Sequence, residues 1–139
     1  MEQSVIFLFA SIIIFGALLF FLICKSKKGF KHLDVEYYRT KCLEIEHQLK
    51  PDDPSSYQMS VLNADKLVDQ ALKARGTSGQ TMGERMKSSV TLFTDRNGIW
   101  MAHKLRNRIA HEPDAQITHD EAKRALNSFR KALKDLGAI

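Results

Sequence analysis

The sequence predicts an all-α protein: a single N-terminal transmembrane helix followed by a small antiparallel bundle of four to five helices. Three observations carry that expectation. Val5 to Cys24 is an uninterrupted apolar run with Ser11 as its one polar side chain. Beyond it, apolar residues recur at spacings of three and four, and no segment alternates as a half-buried strand does. The chain accordingly divides into an anchor over 1–24, a basic juxtamembrane linker over 25–32 and a bundle domain over 33–139.

At 1.5 Å rise per residue, a run of this length spans about 30 Å, the thickness of a bilayer's hydrocarbon core. Met1-Glu2-Gln3-Ser4 brings no cation before the run, and Leu22-Ile23-Cys24 is bulky where a signal peptidase needs small residues. Cleavage is therefore not expected, nor is lipoprotein processing at Cys24. Lys25, Lys27, Lys28 and Lys31 follow at once. The positive-inside rule sets such a cluster against the cytoplasmic membrane surface, with the N-terminus outside the cell membrane and the bundle in the cytoplasm.

After this linker, Tyr38, Cys42, Ile45 and Leu49 step by four, three and four along one face of a helix from about Leu33 to Leu49. Pro51-Asp52-Asp53-Pro54 ends it. Ser55 or Ser56 is expected to cap the next helix, whose stripe is Val61, Ala64, Val68, Ala71 and Leu72 and whose C-cap is Arg75-Gly76. After the Gly76-Thr77-Ser78-Gly79-Gln80 loop, Thr81 and Glu84 stand three apart as a capping box and open a third helix, expected to reach Phe93.

Thr94-Asp95-Arg96-Asn97-Gly98 reads as a turn. A fourth helix follows, with Met101, Ala102, Leu105 and Ile109 as its expected buried face and Pro113 stopping it near His111. Thr118 and Glu121 repeat the capping box. The fifth helix carries Ala122, Leu126, Phe129, Leu133 and Leu136 on one side and ends before Gly137.

Charge narrows the classes of partner. All 21 Lys and Arg lie after residue 24 against 15 of the 16 acids, so the part beyond the anchor carries six net positive charges. That balance favours an acidic partner, with RNA, DNA or the anionic leaflet as the candidates. Two cysteines supply neither a disulfide framework nor a metal set, and Cys24 and Cys42 read as free thiols. The sequence holds no G-x-x-x-x-G-K, no H-E-x-x-H and no serine-nucleophile motif, and its histidines lack metal-site spacing, so ATPase and metalloenzyme classes are disfavoured and no cofactor is expected.

The fourth helix carries the chemistry. At 100° per residue, Trp100, His103, Asn107 and His111 fall within about 80° of one another, opposite the expected core face. Full exposure of Trp100 would be costly, so the stripe is expected to meet another helix, a second subunit in a homodimer, or a ligand.

Arg106-Asn107-Arg108-Ile109-Ala110-His111 resembles the R-x(4-6)-H motif of HEPN domains, compact helical bundles in which a polar residue, often Asn, follows the arginine. The resemblance covers roughly Leu33 to Gly137. It implies a domain whose copies face one another across a dimer, with metal-independent RNA cleavage in many members and nucleotide-associated or interaction roles in others. Arg96-Asn97 with His103 also satisfies the spacing, but Arg96 is expected in a turn whereas Arg106 and His111 share the helix.

On that resemblance the catalytic residues are Arg106, Asn107 and His111. His111 would act as general base or acid, Arg106 would hold the phosphate, and Asn107 would orient the substrate or the histidine. His103, Lys104 and Arg108 would bind substrate. Residues five apart on a helix point about 140° away from each other. Arg106 and His111 therefore converge only if the helix unwinds near Pro113 or a dimer mate supplies one of them, and His103 is the substitute on the same side. Two functions follow from different classes: a membrane-anchored cytoplasmic module that binds RNA or nucleotides and acts as a metal-independent endoribonuclease, or a noncatalytic membrane-tethered scaffold that docks a protein partner.

Overall fold

The computed structural model describes residues 2–26 and 32–139, and the chain divides into two compact units, Met1–Phe30 and Lys31–Ile139. Among the described residues every regular element is helical.

The first unit is one helix, α1 (Glu2–Ser26). Within it Val5–Leu22 has a mean hydropathy of 3.0 and none of it is buried. By length and composition it can cross a membrane, as the apolar run predicts. Of the lysine cluster, Lys25 falls in the last turn of this helix, while Lys27, Lys28 and Lys31, and with them most of the expected linker, lie outside the described residues.

The second unit holds α2 (Val35–Gln48), α3 (Pro54–Ala74), α4 (Met82–Ser88), a 3-10 turn (Val90–Leu92), α5 (Arg96–His111) and α6 (His119–Asp135). The central helix is α3, which packs against α2, α4, α5 and α6. Its stripe is buried as expected, with Val61, Val68, Ala71 and Leu72 fully so. Across from it α6 turns in Ala122, Leu126, Phe129 and Leu133, and Leu136 closes that end of the core. Removing a large side chain from such a centre, Phe129 for instance, costs about 3–5 kcal/mol because the cavity does not fully collapse.

Capping explains most boundaries. Thr81 and Glu84 form the expected reciprocal box at α4, and Thr118 and Glu121 the one at α6. Gly76 at φ 78 and Gly137 at φ 69 take the left-handed conformation that ends α3 and α6. The start of α3 differs from expectation. Asp53, not Ser55 or Ser56, is its N-cap, accepting from the N–H groups of both serines, and Pro54 occupies the first turn, where no N–H is missed. The third helix also stops at Ser88, and the 3-10 turn carries the chain on toward Phe93.

The larger correction concerns α5. Asp95 caps it by accepting from Gly98 N–H at 2.8 Å, so Arg96 and Asn97 are helical and not part of a turn. The buried residues are Ile99, Ala102 and His103, with Leu105 and Ile109 half-buried, while Met101 is 66% exposed. The inward face is rotated about a quarter turn from the one read off the apolar residues. The cause is a carboxylate on α3, Asp65, which draws His103 and Arg106 inward.

Candidate functional site

Asp65 sits among the buried stripe of α3, where an acid is tolerated only if both oxygens are satisfied. They are. One oxygen lies 2.8 Å from His103 Nδ1 and the other 3.3 Å from Arg106 Nε, both on α5. The side chain of Asp65 is 5% exposed and that of His103 11%, so the pair is nearly dry. Arg106 is only half-buried, and its Nη1 donates to Asn107 Oδ1 at 3.0 Å. One turn separates His103 from Arg106 and Asn107, which is why a single carboxylate can serve both the imidazole and the guanidinium.

These residues line a cleft of about 710 Å³ between α3, α4 and α5, with Met59, Asn63, Lys66 and Met82 among its other walls. On its α4 side the ring of His103 faces Gly83, where a methyl group would stand 4.0 Å from Nε2. The Trp100 ring meets His103 edge-on, centroids 6.2 Å apart, and packs partly against the core. Its apolar surface is thus covered in part by its own chain.

A second, partly buried ion cluster fixes α4 to α3 and so shapes the cleft. Arg85 donates from Nε to Asp69 Oδ1 at 2.8 Å and from Nη1 to the Gly79 carbonyl at 2.7 Å, and Lys73 reaches Asp69 Oδ2 at 2.7 Å. Burial pushes the Asp69 carboxyl upward, but hydrogen bonds and charge from Lys73 and Arg85 outweigh it and hold the group below its ordinary range. Cys42, by contrast, is pushed up by burial and by the Glu46 carboxylate, so its thiol is a poor nucleophile.

The expected site residues divide among three places. Arg106, Asn107 and His103 meet at the cleft. Lys104 and Arg108 line a different groove of about 490 Å³ between α5 and α6, where Arg108 Nη2 lies 3.3 Å from Glu121 Oε1. His111 stands exposed in the last turn of α5. The helix stays regular to that point, with Glu112 N–H bonded to the Arg108 carbonyl at 2.9 Å, so the unwinding that would bring His111 toward Arg106 within one chain does not occur. Asp65 is the residue that sequence reasoning missed. Its signal was an acid at Val61 plus four and Val68 minus three, on a stripe otherwise apolar.

Among the described residues no group of three or more His, Cys, Asp or Glu is arranged to hold a metal ion. Set against known families, characterised proteins and solved structures, the chain matches none.

Proposed function

We propose that the chain is a membrane-anchored HEPN-like module, facing the cytoplasm, that binds RNA in the cleft between α3, α4 and α5 and cuts it without a metal ion. One observation carries the reading: a guanidinium clamped by Asp65 and Asn107 stands in the same cleft wall as an imidazole. A guanidinium has five N–H donors, so the contacts to Asp65 and Asn107 leave others for a phosphate. An imidazole is the side chain best suited to move a proton near neutral pH. Lys66 on the rim and the six net positive charges beyond the anchor supply the long-range attraction that RNA binding needs.

The test uses the full chain in detergent micelles with a fluorescent single-stranded RNA of mixed sequence, with and without EDTA. Binding is expected to weaken as salt rises, and Arg106→Ala is expected to weaken it about tenfold or more, the loss of a charged hydrogen bond. Cutting is expected to survive EDTA. RNA binding that ignores Arg106→Ala, or no binding at low salt, would remove the basis of the reading.

A second reading, a scaffold that docks a protein, has its own support. The groove between α5 and α6 has a floor of Met101, Ala102, Leu105 and Ala125 rimmed by Lys104, Arg108 and Arg124. An exposed methionine over an apolar floor is a common protein-docking feature. On that reading Met101→Asp abolishes partner capture while Arg106→Ala leaves it intact.

A further inference from the structure

We infer that the groove between α5 and α6 takes an amphipathic helix of a partner protein, with an apolar stripe that covers Met101 and Leu105 and carboxylates that meet Lys104 and Arg124. The inference rests on the docking reading above and names the chemistry of the partner.

The groove is floored by small residues from two packed helices. Ala102 on α5 and Ala125 on α6 are both buried beneath it. Met101 and Leu105, one turn apart, stand beside that floor, the first exposed and the second half-buried. Met101, Ala102 and Leu105 share one face of the helix, the spacing of a stripe that is meant to be covered. Asp65 draws a different face of α5 into the domain, and the chain leaves part of this stripe open.

The charge around the floor says which partner fits. Lys104, Arg108 and Arg124 rim the groove against a single acid, Glu121. That acid is committed, since it accepts from Thr118 N–H at 2.8 Å and from Arg108 Nη2 at 3.3 Å. Lys104 and Arg124 are exposed, and among the described residues neither has an acidic partner. A protein that covers Met101 brings its own rim groups against these two cations, where carboxylates are favoured and further cations repelled.

Shape selects a helix. From Gly98 to Arg108 the groove follows about ten residues of α5, or roughly 15 Å, close to three turns of a helix laid beside it. A valley between two helices accepts the ridge of a third. Among the described residues there is no strand, so an extended peptide finds no sheet edge to join. The lining holds no aromatic ring on which a nucleobase could stack, which sets this groove apart from a nucleic-acid platform.

The experiment selects from a displayed library of helix-forming peptides about fourteen residues long, using the full chain in zwitterionic nanodiscs after depletion on empty nanodiscs. The selected pool is expected to carry Leu, Met or Phe at i, i+3 or i+4, and i+7, with Asp and Glu in excess of Lys and Arg beside that stripe. A fluorescent copy of the commonest peptide is then followed by anisotropy. Its affinity is expected to fall as salt rises and to drop about tenfold in Lys104→Glu with Arg124→Glu. Lys50→Glu with Lys87→Glu changes the net charge equally at exposed positions outside the groove, and is expected to leave affinity within about twofold. The peptide with its acids changed to Lys is expected to prefer Lys104→Glu with Arg124→Glu over the wild type. Met101→Asp is expected to abolish binding with an unchanged circular dichroism spectrum, because Met101 is exposed.

Peptides that depend on Met101 but show no excess of acids overturn this inference and leave the docking reading standing. Equal weakening by the two charge-reversed pairs also overturns it, because the attraction then belongs to the domain as a whole. A pool with no Met101-dependent peptide overturns both, and crosslinks from Met101→Cys to a second copy or to nanodisc lipid then name the occupant instead.

Discussion

Asp65 and His103, thirty-eight residues apart in sequence, meet through a 2.8 Å contact between a carboxylate oxygen and Nδ1 in a nearly dry position between α3 and α5. Arg106 completes the cluster from the next turn of α5. A buried acid with two basic partners holds together only while all three remain, and that interdependence gives the first prediction.

Asp65→Ala should destabilise the domain by about 3 kcal/mol, because it strips the anion from two groups that cannot both reach water. At about 4 °C per kcal/mol, the midpoint of thermal unfolding should fall by roughly 12 °C. Asp65→Asn keeps an acceptor for Nδ1 and should cost nearer 1 kcal/mol. Circular dichroism melts of the full chain in micelles compare the two. Equal losses would mean that the charge, not the hydrogen bond, holds the cluster.

Acid should loosen the bundle through its helix starts and through Asp69. Glu84 is held below the ordinary carboxyl range by the N–H groups of Gln80 and Thr81, and Glu121 first of all by the N–H of Thr118. Asp69 is pushed up by burial yet held down on balance by Lys73 and Arg85. In each case the folded value lies below the unfolded one, about 3.9 for Asp and 4.3 for Glu. The stabilisation is therefore complete above about pH 5 and is lost as pH falls through the lower, folded values. Denaturant midpoints should be flat from neutral to about pH 5 and then decline. Glu84→Gln with Glu121→Gln should make that decline shallower, and an unchanged acid limb would show that these caps do not carry it.

Two glycines in one loop should respond very differently to alanine. At Gly79, φ is 138° and a Cβ would lie 2.7 Å from Arg85 N and 2.9 Å from the Glu84 carbonyl carbon, all backbone that cannot step aside. At Gly76, φ is 78° and nothing lies within 4 Å. Gly76→Ala should cost about 1–2 kcal/mol, the strain of a left-handed residue. Gly79→Ala should cost about 3 kcal/mol or more and should detach α4, since the same glycine's carbonyl accepts from Arg85. Proteolysis at the loop, faster for Gly79→Ala than for Gly76→Ala, would report that detachment. Equal rates would count against the steric account.

How much of this was legible in the sequence depended on distance along the chain. The stripe of α6 and the two capping boxes were readable because each is fixed by residues three or four apart, such as Thr118 with Glu121. The start of α3 was misplaced by two or three residues because Asp53 and two serines all offer a capping oxygen, and the rigid φ of Pro54 decided among them. The face of α5 was misread for a different reason. Met101 is more apolar than His103, and only a carboxylate from another helix reverses their preference for the interior. Spacing along the helix likewise does not reveal that Lys104 and Arg108 line a different groove from Arg106.

The anchor can be tested by a matched cost. Of the eighteen residues Val5–Leu22, fourteen are Val, Ile, Leu or Phe. At about 0.3–0.6 kcal/mol each they favour insertion by roughly 6 kcal/mol. An arginine near the helix centre costs about 2.5–3.5 kcal/mol on the same insertion scale. Ile13→Arg alone should therefore leave most of the protein in the membrane pellet after alkaline extraction. Ile13→Arg with Ile14→Arg should cancel the preference and release much of it. The orientation proposed above is tested at the lysines: replacing Lys25, Lys27, Lys28 and Lys31 by Gln should scramble the side on which an appended glycosylation or protease tag is found. A span that holds its orientation without them would assign topology to something other than this cluster. If the wild type itself comes away in alkali, Val5–Leu22 is not a membrane span at all.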